Sequence, residues 1–266
     1  MKLASLNGGR DGRLVVVTDD LAWRISAAQI APTLQAALDD WDRCGPLLAR
    51  VAACLNRGAP GRQRFNGAEC ALPLPRPPHQ WADSPAGNRD QTGEIAVFTG
   101  AVPQGSCREQ ASQAIRLVMR ANNLSLSNLL MAEQLGGLSS LSSMSVPAFS
   151  PVAVSPDALG DAWRDGRLHG ALRVEINGEP LSQAGADVTL DFAGLIMDAA
   201  KTRALSAGTI IGASPTPARR GAARGPALKA GDEIRIDMLD DAGRSIFGAI
   251  VQTATEPSAA RALEVA

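Results

Sequence analysis

Apolar residues along the chain recur with two different periods. In residues 1–20 a weak alternation surrounds Leu14, Val15, Val16 and Val17, with "GGRDG" before it and "TDD" after it. That pattern predicts a small N-terminal hairpin. Between 31 and 57 the spacing becomes helical, with Leu34, Ala37, Leu38 and Trp41 on one side. Gly45-Pro46 predicts a break into two helices, with Pro46 opening the second. The proline-rich stretch "ALPLPRPPHQWADSPAG" follows. Its composition shift near residue 72 predicts a small N-terminal α/β domain (1–72) and a larger second domain (73–266).

The second part opens on "EIAVFTG", a buried strand that carries one acid, Glu94. The stretch "SCREQASQAIRLVMR" (106–120) predicts a helix, since Ser106 and Glu109 have capping-box spacing. "ANNLSLSNLLMAEQLGG" predicts a strand entering a second helix that stops at Gly136-Gly137. In "RVEINGEPLS" the Asn177-Gly178 pair marks a hairpin. "TLDFAGLIMDAAKTRALSAG" predicts an amphipathic helix ending before Gly208, and "AGDEIRIDMLDDAGRSIFGAIVQ" two strands joined at Asp240–Gly243. Strands and helices mix without a strand-helix-strand rhythm, which predicts an α+β fold.

Composition narrows the function. The 266 residues carry 26 Lys+Arg against 27 Asp+Glu, so there is no electrostatic case for nucleic acid or an anionic membrane surface. No run approaches the ~20 apolar residues that span a bilayer. The N-terminal stretch lacks the apolar core of a signal peptide, so a cytoplasmic location is expected. Cys44, Cys54, Cys70 and Cys107 show no C-x-x-C spacing and read as reduced thiols. With no Tyr in the chain, any pocket works without phenol hydroxyls. The Arg-bearing "GASPTPARRGAARGPALKAG" has no aromatic interleaving and reads as a solvated loop rather than an RNA or phosphate arm. "LSSLSSMSV" lacks the G-x-S-x-G setting of a nucleophile and reads as a loop.

Three long stretches carry a family resemblance: "FSPVAVSPDALGDAWRDGRLHGALRVEINGEPL" (149–181), "DFAGLIMDAAKTRALSAGTIIG" (191–212) and "GDEIRIDMLDDAGRSIFGAIVQ" (231–252). With "DGRLVVV" and "IAPTLQAALDDW" near the start, the whole chain resembles bacterial members of the fumarylacetoacetate hydrolase family. The resemblance implies a small N-terminal domain followed by a mixed β-sandwich roll, usually dimeric. It also implies a divalent Mg or Ca held by carboxylates, which binds the oxygens of a β-dicarbonyl or 2-oxo acid and acts as a Lewis acid.

On the family's pattern the first Asp falls on Asp83 in "QWADS". The Glu-x-Glu pair falls on "TGE", leaving Glu94 as its second member and Thr92 in place of its first. The second Asp falls on Asn123, and the substrate-contacting Lys on Met144. The family's catalytic His has no match, a segment that normally follows Asp83 is missing, and a second deletion leaves the Arg-bearing loop. The resemblance therefore implies a degenerate, shortened site with no tight metal site, though weak Mg or Ca binding at Asp83 and Glu94 stays open. Glu94, Asp83 and His79 are the candidate acid–base groups. Thr92, Asn123, Met144 and Trp81 are the candidate substrate contacts. Each also has a bland reading: Glu94 as a paired structural acid, Asp83 as a turn cap, His79 as a loop residue. His169 reads as a surface residue, and Arg173 with Glu175 as a solvated strand face.

Three functions are consistent with this reading. One is a repurposed, metal-independent lyase, isomerase or cyclase acting on a small carbonyl-containing, enolisable metabolite. Another is a pseudoenzyme that binds or pairs, as a homodimer or as a heteromer with an intact relative. The third is a residual Mg-dependent hydrolase or decarboxylase.

Overall fold

A computed structural model describes residues 1–78, 80–83, 94–122, 148–164, 167–169, 171–185, 191–213 and 231–254. The N-terminal strands β1 (Lys2–Leu6) and β2 (Arg13–Val17) pair antiparallel as the sequence pattern predicts, and β3 (Trp23–Ser26) and β4 (Gln63–Arg64) extend the hairpin. Helices α1 (Leu34–Asp39) and α2 (Trp41–Asn56) follow β3, with the Thr33 side chain capping the first.

The break between the two helices lies at Asp40, not at Gly45-Pro46, which sit inside the early turns of α2. Pro46 lacks the N–H that would bond the carbonyl of Asp42, but both residues face water, which can satisfy that carbonyl. Gly45 also lies against a close neighbour. A Cβ there would stand 3.0 Å from Nε1 of Trp41.

Next come β5 (Gln80–Asp83), β6 (Glu94–Thr99), α3 (Arg108–Gln113), β7 (Ile115–Asn122), β8 (Ala148–Phe149), β9 (Ala153–Val154) and α4 (Pro156–Leu159). The predicted helix over 106–120 is thus a short helix followed by a central strand. Ser106 does not cap it; its hydroxyl donates to the Pro103 carbonyl at 2.7 Å, while Cys107 and Gln110 form the capping box. "IRLVMRAN" becomes a strand because both of its faces find apolar partners, which is how a continuous apolar run is accommodated in a sheet. Its Val118 faces one core and its Leu117 and Met119 the other.

The remaining elements are β10 (Trp163–Arg164), β11 (Arg167–Leu168), β12 (Ala171–Ile176), β13 (Glu179–Gly185), α5 (Phe192–Ala200), β14 (Ile210–Ala213), β15 (Glu233–Leu239) and β16 (Ile250–Thr253). The hairpin β12–β13 turns at Asn177 (φ 52°) and Gly178 (φ 81°), the two left-handed residues that such a tight turn needs. The last two strands are further apart than the sequence pattern predicts. After the Asp240–Gly243 turn the chain pairs briefly with β15, Ser245 opposite Leu239, then buries Ile246 and Phe247 and rejoins the sheet as β16 at Ile250.

Among the described residues the strands form a ten-stranded sheet, ordered β4-β3-β2-β1-β9-β7-β6-β14-β5 with β8 on β7, a four-stranded sheet, ordered β13-β12-β15-β16, and a two-stranded pair, β10-β11. The composition shift near residue 72 lies between β4 and β5, yet the large sheet continues across it because β1 pairs with β9. One core fills the space between the two sheets, with Val97, Val118 and Ile211 meeting Val174, Ile236, Met238 and Phe247. The other lies between the large sheet and α1–α2, where Phe98 and Leu117 meet Leu34, Leu38 and Leu48. This is an α+β roll.

An ion pair between Arg108 and Asp191 joins the start of α3 to the start of α5. Burial alone would raise the Asp191 carboxyl, but the Arg108 guanidinium and the amides of Gly194 and Ala193 outweigh it and hold the carboxyl below its usual range. A depressed carboxyl stabilises the fold above its unfolded value of about 3.9, and that contribution is lost as pH falls through the folded value. The pair is largely solvated, so the effect is below about 1 kcal/mol. Asp191→Asn is therefore expected to lower the urea midpoint slightly at pH 7, with the difference shrinking only below about pH 4 and vanishing once pH is under the depressed folded value. An equal difference at both pH values would show that the carboxyl charge contributes nothing.

Candidate functional site

One edge of the large sheet gathers the candidate acids. Strand β5 ends at Asp83, β14 ends at Ala213, and β6 begins at Glu94. Ala213 pairs with Asp83 on one side and with Ile95 on the other. Glu94 pairs with Ala121 at the end of β7, and Asn122 with Ala148 at the start of β8. Neighbouring strands lie about 4.8 Å apart, so β5 and β6, with β14 between them, stand about 10 Å apart. Asp83, Glu94 and the end of β7 thus share one sheet end.

The side chains that line the interior at that end are polar. Arg120 alternates with Val118 on the β7 face toward the four-stranded sheet, and it is 2% exposed. It stands in the same cross-strand row as Ile95, Ala213 and Asp83. One pleat further out, the buried Asn122 donates through Nδ2 to Oε1 of Gln252 on β16 at 2.6 Å, joining the two sheets. The buried Ser150 hydroxyl accepts from the Arg120 amide at 3.2 Å and donates to the Val152 carbonyl at 3.1 Å. Deeper in the roll the same face is apolar. A buried charge is strongly unfavourable unless it is matched, so the end that carries Arg120 is electrostatically distinct from the rest of the core.

Of the sequence-predicted positions, the backbone of Trp81, Asp83 and Glu94 is placed, on β5 and β6. His79, Thr92, Asn123 and Met144 lie outside the described residues, as do the Arg-bearing and Ser-rich stretches. His169 is half-buried just after β11. Arg173 pairs with Glu175 at 2.6 Å on the outer face of the small sheet, opposite Asp237 and Arg235, around an open cavity of about 300 Å³. That face is polar, in keeping with its sequence reading.

The sequence reading missed Arg120, Asn122, Ser150 and Gln252. The available signal was an arginine inside an apolar run. It was obscured by reading 106–120 as a helix, in which an arginine at the last position is unremarked.

Comparison with known proteins places this edge in a family. The model for the fumarylacetoacetate (FAA) hydrolase C-terminal region matches residues 58–254, and that for fumarylacetoacetase N-terminal domain 2 matches residues 1–76. The chain belongs to the fumarylacetoacetate hydrolase family. Similar solved structures include a putative HpcE protein from Mycobacterium smegmatis, 20% identical, with TM-score 0.65 over 96% of this chain and 100% of that one. A maleylpyruvate hydrolase from Sphingobium sp. SYK-6 is 18% identical, with TM-score 0.64 over 96% and 99%. The same hydrolase in complex with manganese(II) and pyruvate gives TM-score 0.59 at 18% identity over 96% and 99%. At these identities the likeness is one of fold. No curated protein matches the sequence.

A hard divalent cation needs several oxygen ligands, carboxylates among them. Among the described residues of this family member, no three His, Cys, Asp or Glu side chains converge. The family's ligand positions at Thr92 and Asn123 lie outside the described residues.

Proposed function

We propose that this fumarylacetoacetate hydrolase family chain carries out metal-independent proton transfer on a small, enolisable carbonyl compound at the open end of its large sheet. The observation that supports this reading is the shared sheet end at which β5 finishes on Asp83 and β6 begins on Glu94, with β14 between them. The sequence correspondence supports it, since Thr92 and Asn123 stand where the family pattern has carboxylates.

Glu94 is the general base. It takes the proton α to the carbonyl; the C–H electron pair becomes the C=C bond of the enolate, and the carbonyl oxygen takes up the negative charge. Such a base contributes about 10²–10⁴-fold. Asp83 or His79 returns a proton, while Trp81, Thr92, Asn123 and Met144 contact the substrate. Whether the product is then a lyase, isomerase or cyclase product depends on the group attached to the α carbon. The assembly that goes with this reading is a homodimer, or a heteromer with an intact relative.

The test uses pyruvate in D2O with EDTA, following loss of the methyl proton signal by NMR. Protein-dependent exchange that is unchanged by EDTA is the expected result. Exchange that needs added Mg or Mn would overturn the metal-independent reading. No exchange with pyruvate, oxaloacetate or a β-diketone would favour a binding subunit without catalysis.

A further inference from the structure

We infer that the outer face of the small sheet is a self-docking surface, on which a second copy of this chain seats so that Arg235 of one copy meets Asp237 of the partner subunit and the reverse. The inference concerns assembly and does not depend on the chemistry proposed above.

Strands β12 and β15 turn their apolar residues inward: Val174, Ile234, Ile236 and Met238 are buried in the core between the sheets. The alternate positions carry Arg173 and Glu175 on one strand and Arg235 and Asp237 on the other. Their register sets unlike charges side by side, Arg173 opposite Asp237 and Glu175 opposite Arg235. The four side chains thus form a checkerboard, in which the sign alternates along each strand and across the pair. They line the open cavity of about 300 Å³ together with Leu239 and Gly243. Val251, 50% exposed, stands opposite Arg235 on β16 and adds apolar surface beside it.

Such a pattern is complementary to itself. A two-fold axis lying in the face and crossing β15 at Ile236 exchanges the two ends of each strand. It brings Arg235 over Asp237 of the partner subunit and Arg173 over Glu175 of the partner subunit, and the symmetry makes each contact twice. No like charges meet. The charges are also unequally used within one chain. Arg173 pairs with Glu175 at 2.6 Å, whereas Arg235 makes no ion pair among the described residues. Asp237 accepts the Ser245 hydroxyl at 2.6 Å and the Met238 amide at 2.8 Å, both through Oδ1. An unmatched cation and an acid without an ionic partner therefore lie two residues apart on β15. A second β15 running the opposite way matches both. Facing sheets stand about 10 Å apart, a gap that an arginine and an aspartate reach across together.

Light scattering on the full chain, at several concentrations and salt levels, is the test. The unaltered protein is expected to dimerise at low salt and to dissociate as salt screens the pairs. Arg235→Glu, with its fold checked by circular dichroism, sets a carboxylate against Asp237 of the partner subunit twice and should weaken association by roughly 100-fold or more. Asp237→Lys should do the same. An equimolar mixture of the two variants should recover association, because two acids on one copy then face two cations on the other. A purely structural role within the chain cannot produce that recovery. If Asp237→Lys fails to fold, Arg173→Glu mixed with Glu175→Arg makes the same test on β12. A chain that stays monomeric at every concentration would overturn the inference. So would a dimer that Arg235→Glu leaves intact, or folded reversal variants whose mixture stays apart.

Discussion

Glu94→Gln is expected to reduce EDTA-insensitive proton exchange by about 10²–10⁴-fold, the contribution of a positioned general base. The amide has nearly the shape of the carboxylate but no basic lone pair for a carbon-bound proton. The loss should fall on exchange rather than on the fold. Glu94 is the first residue of β6, and its pairing with Ala121 runs through the backbone, which the substitution leaves unchanged. The denaturation midpoint should therefore stay close to that of the unaltered protein. Exchange within a few-fold of the unaltered protein would remove Glu94 as the base. Loss of exchange together with unfolding would make Glu94 a structural acid, the bland alternative for a carboxylate at this position.

The sequence was legible where local chemistry dictates geometry. Asn177-Gly178 requires two left-handed residues, and the hairpin forms there. The long stretches shared with the family lead to the α+β roll. The pattern fails where tertiary partners decide between conformations. "AIRLVMR" has apolar residues enough for a buried helix or a buried strand, and only the presence of β6 on one side and β9 on the other makes it a strand. That misreading also hid Arg120, whose inward placement follows from strand alternation. Gly45-Pro46 resembles a helix break because a proline inside a helix removes a hydrogen bond. Here the carbonyl concerned lies on the exposed side of α2, and the helix continues. For the proposed site, the resemblance names Asp83 and Glu94 as candidates. It could not supply the partners across the layers, since Asn122 and Gln252 are 130 residues apart.

Phe247→Ala is expected to destabilise the protein by about 3–5 kcal/mol, the range for truncating a fully buried phenylalanine. Phe247 is 0% exposed and belongs to the core between the two sheets, although it lies in the connection from β15 to β16 rather than in a strand. Its backbone is anchored too: the Val152 amide donates to its carbonyl at 3.2 Å, so the segment joins the large sheet to the connection that closes the small one. The next residue, Gly248, has φ 78°, and a Cβ there would stand 2.5 Å from Cγ of Pro151. The chain therefore has little room to sink into the space left by the ring, and poor collapse places the cost toward the upper part of the range. Against a total stability of about 5–15 kcal/mol, the loss is a large share. Chemical denaturation should show a much lower midpoint with an unchanged slope, since the surface exposed on unfolding is nearly the same. A shift smaller than about 1 kcal/mol, the size of a lost surface contact, would mean that Phe247 does not join the two sheets.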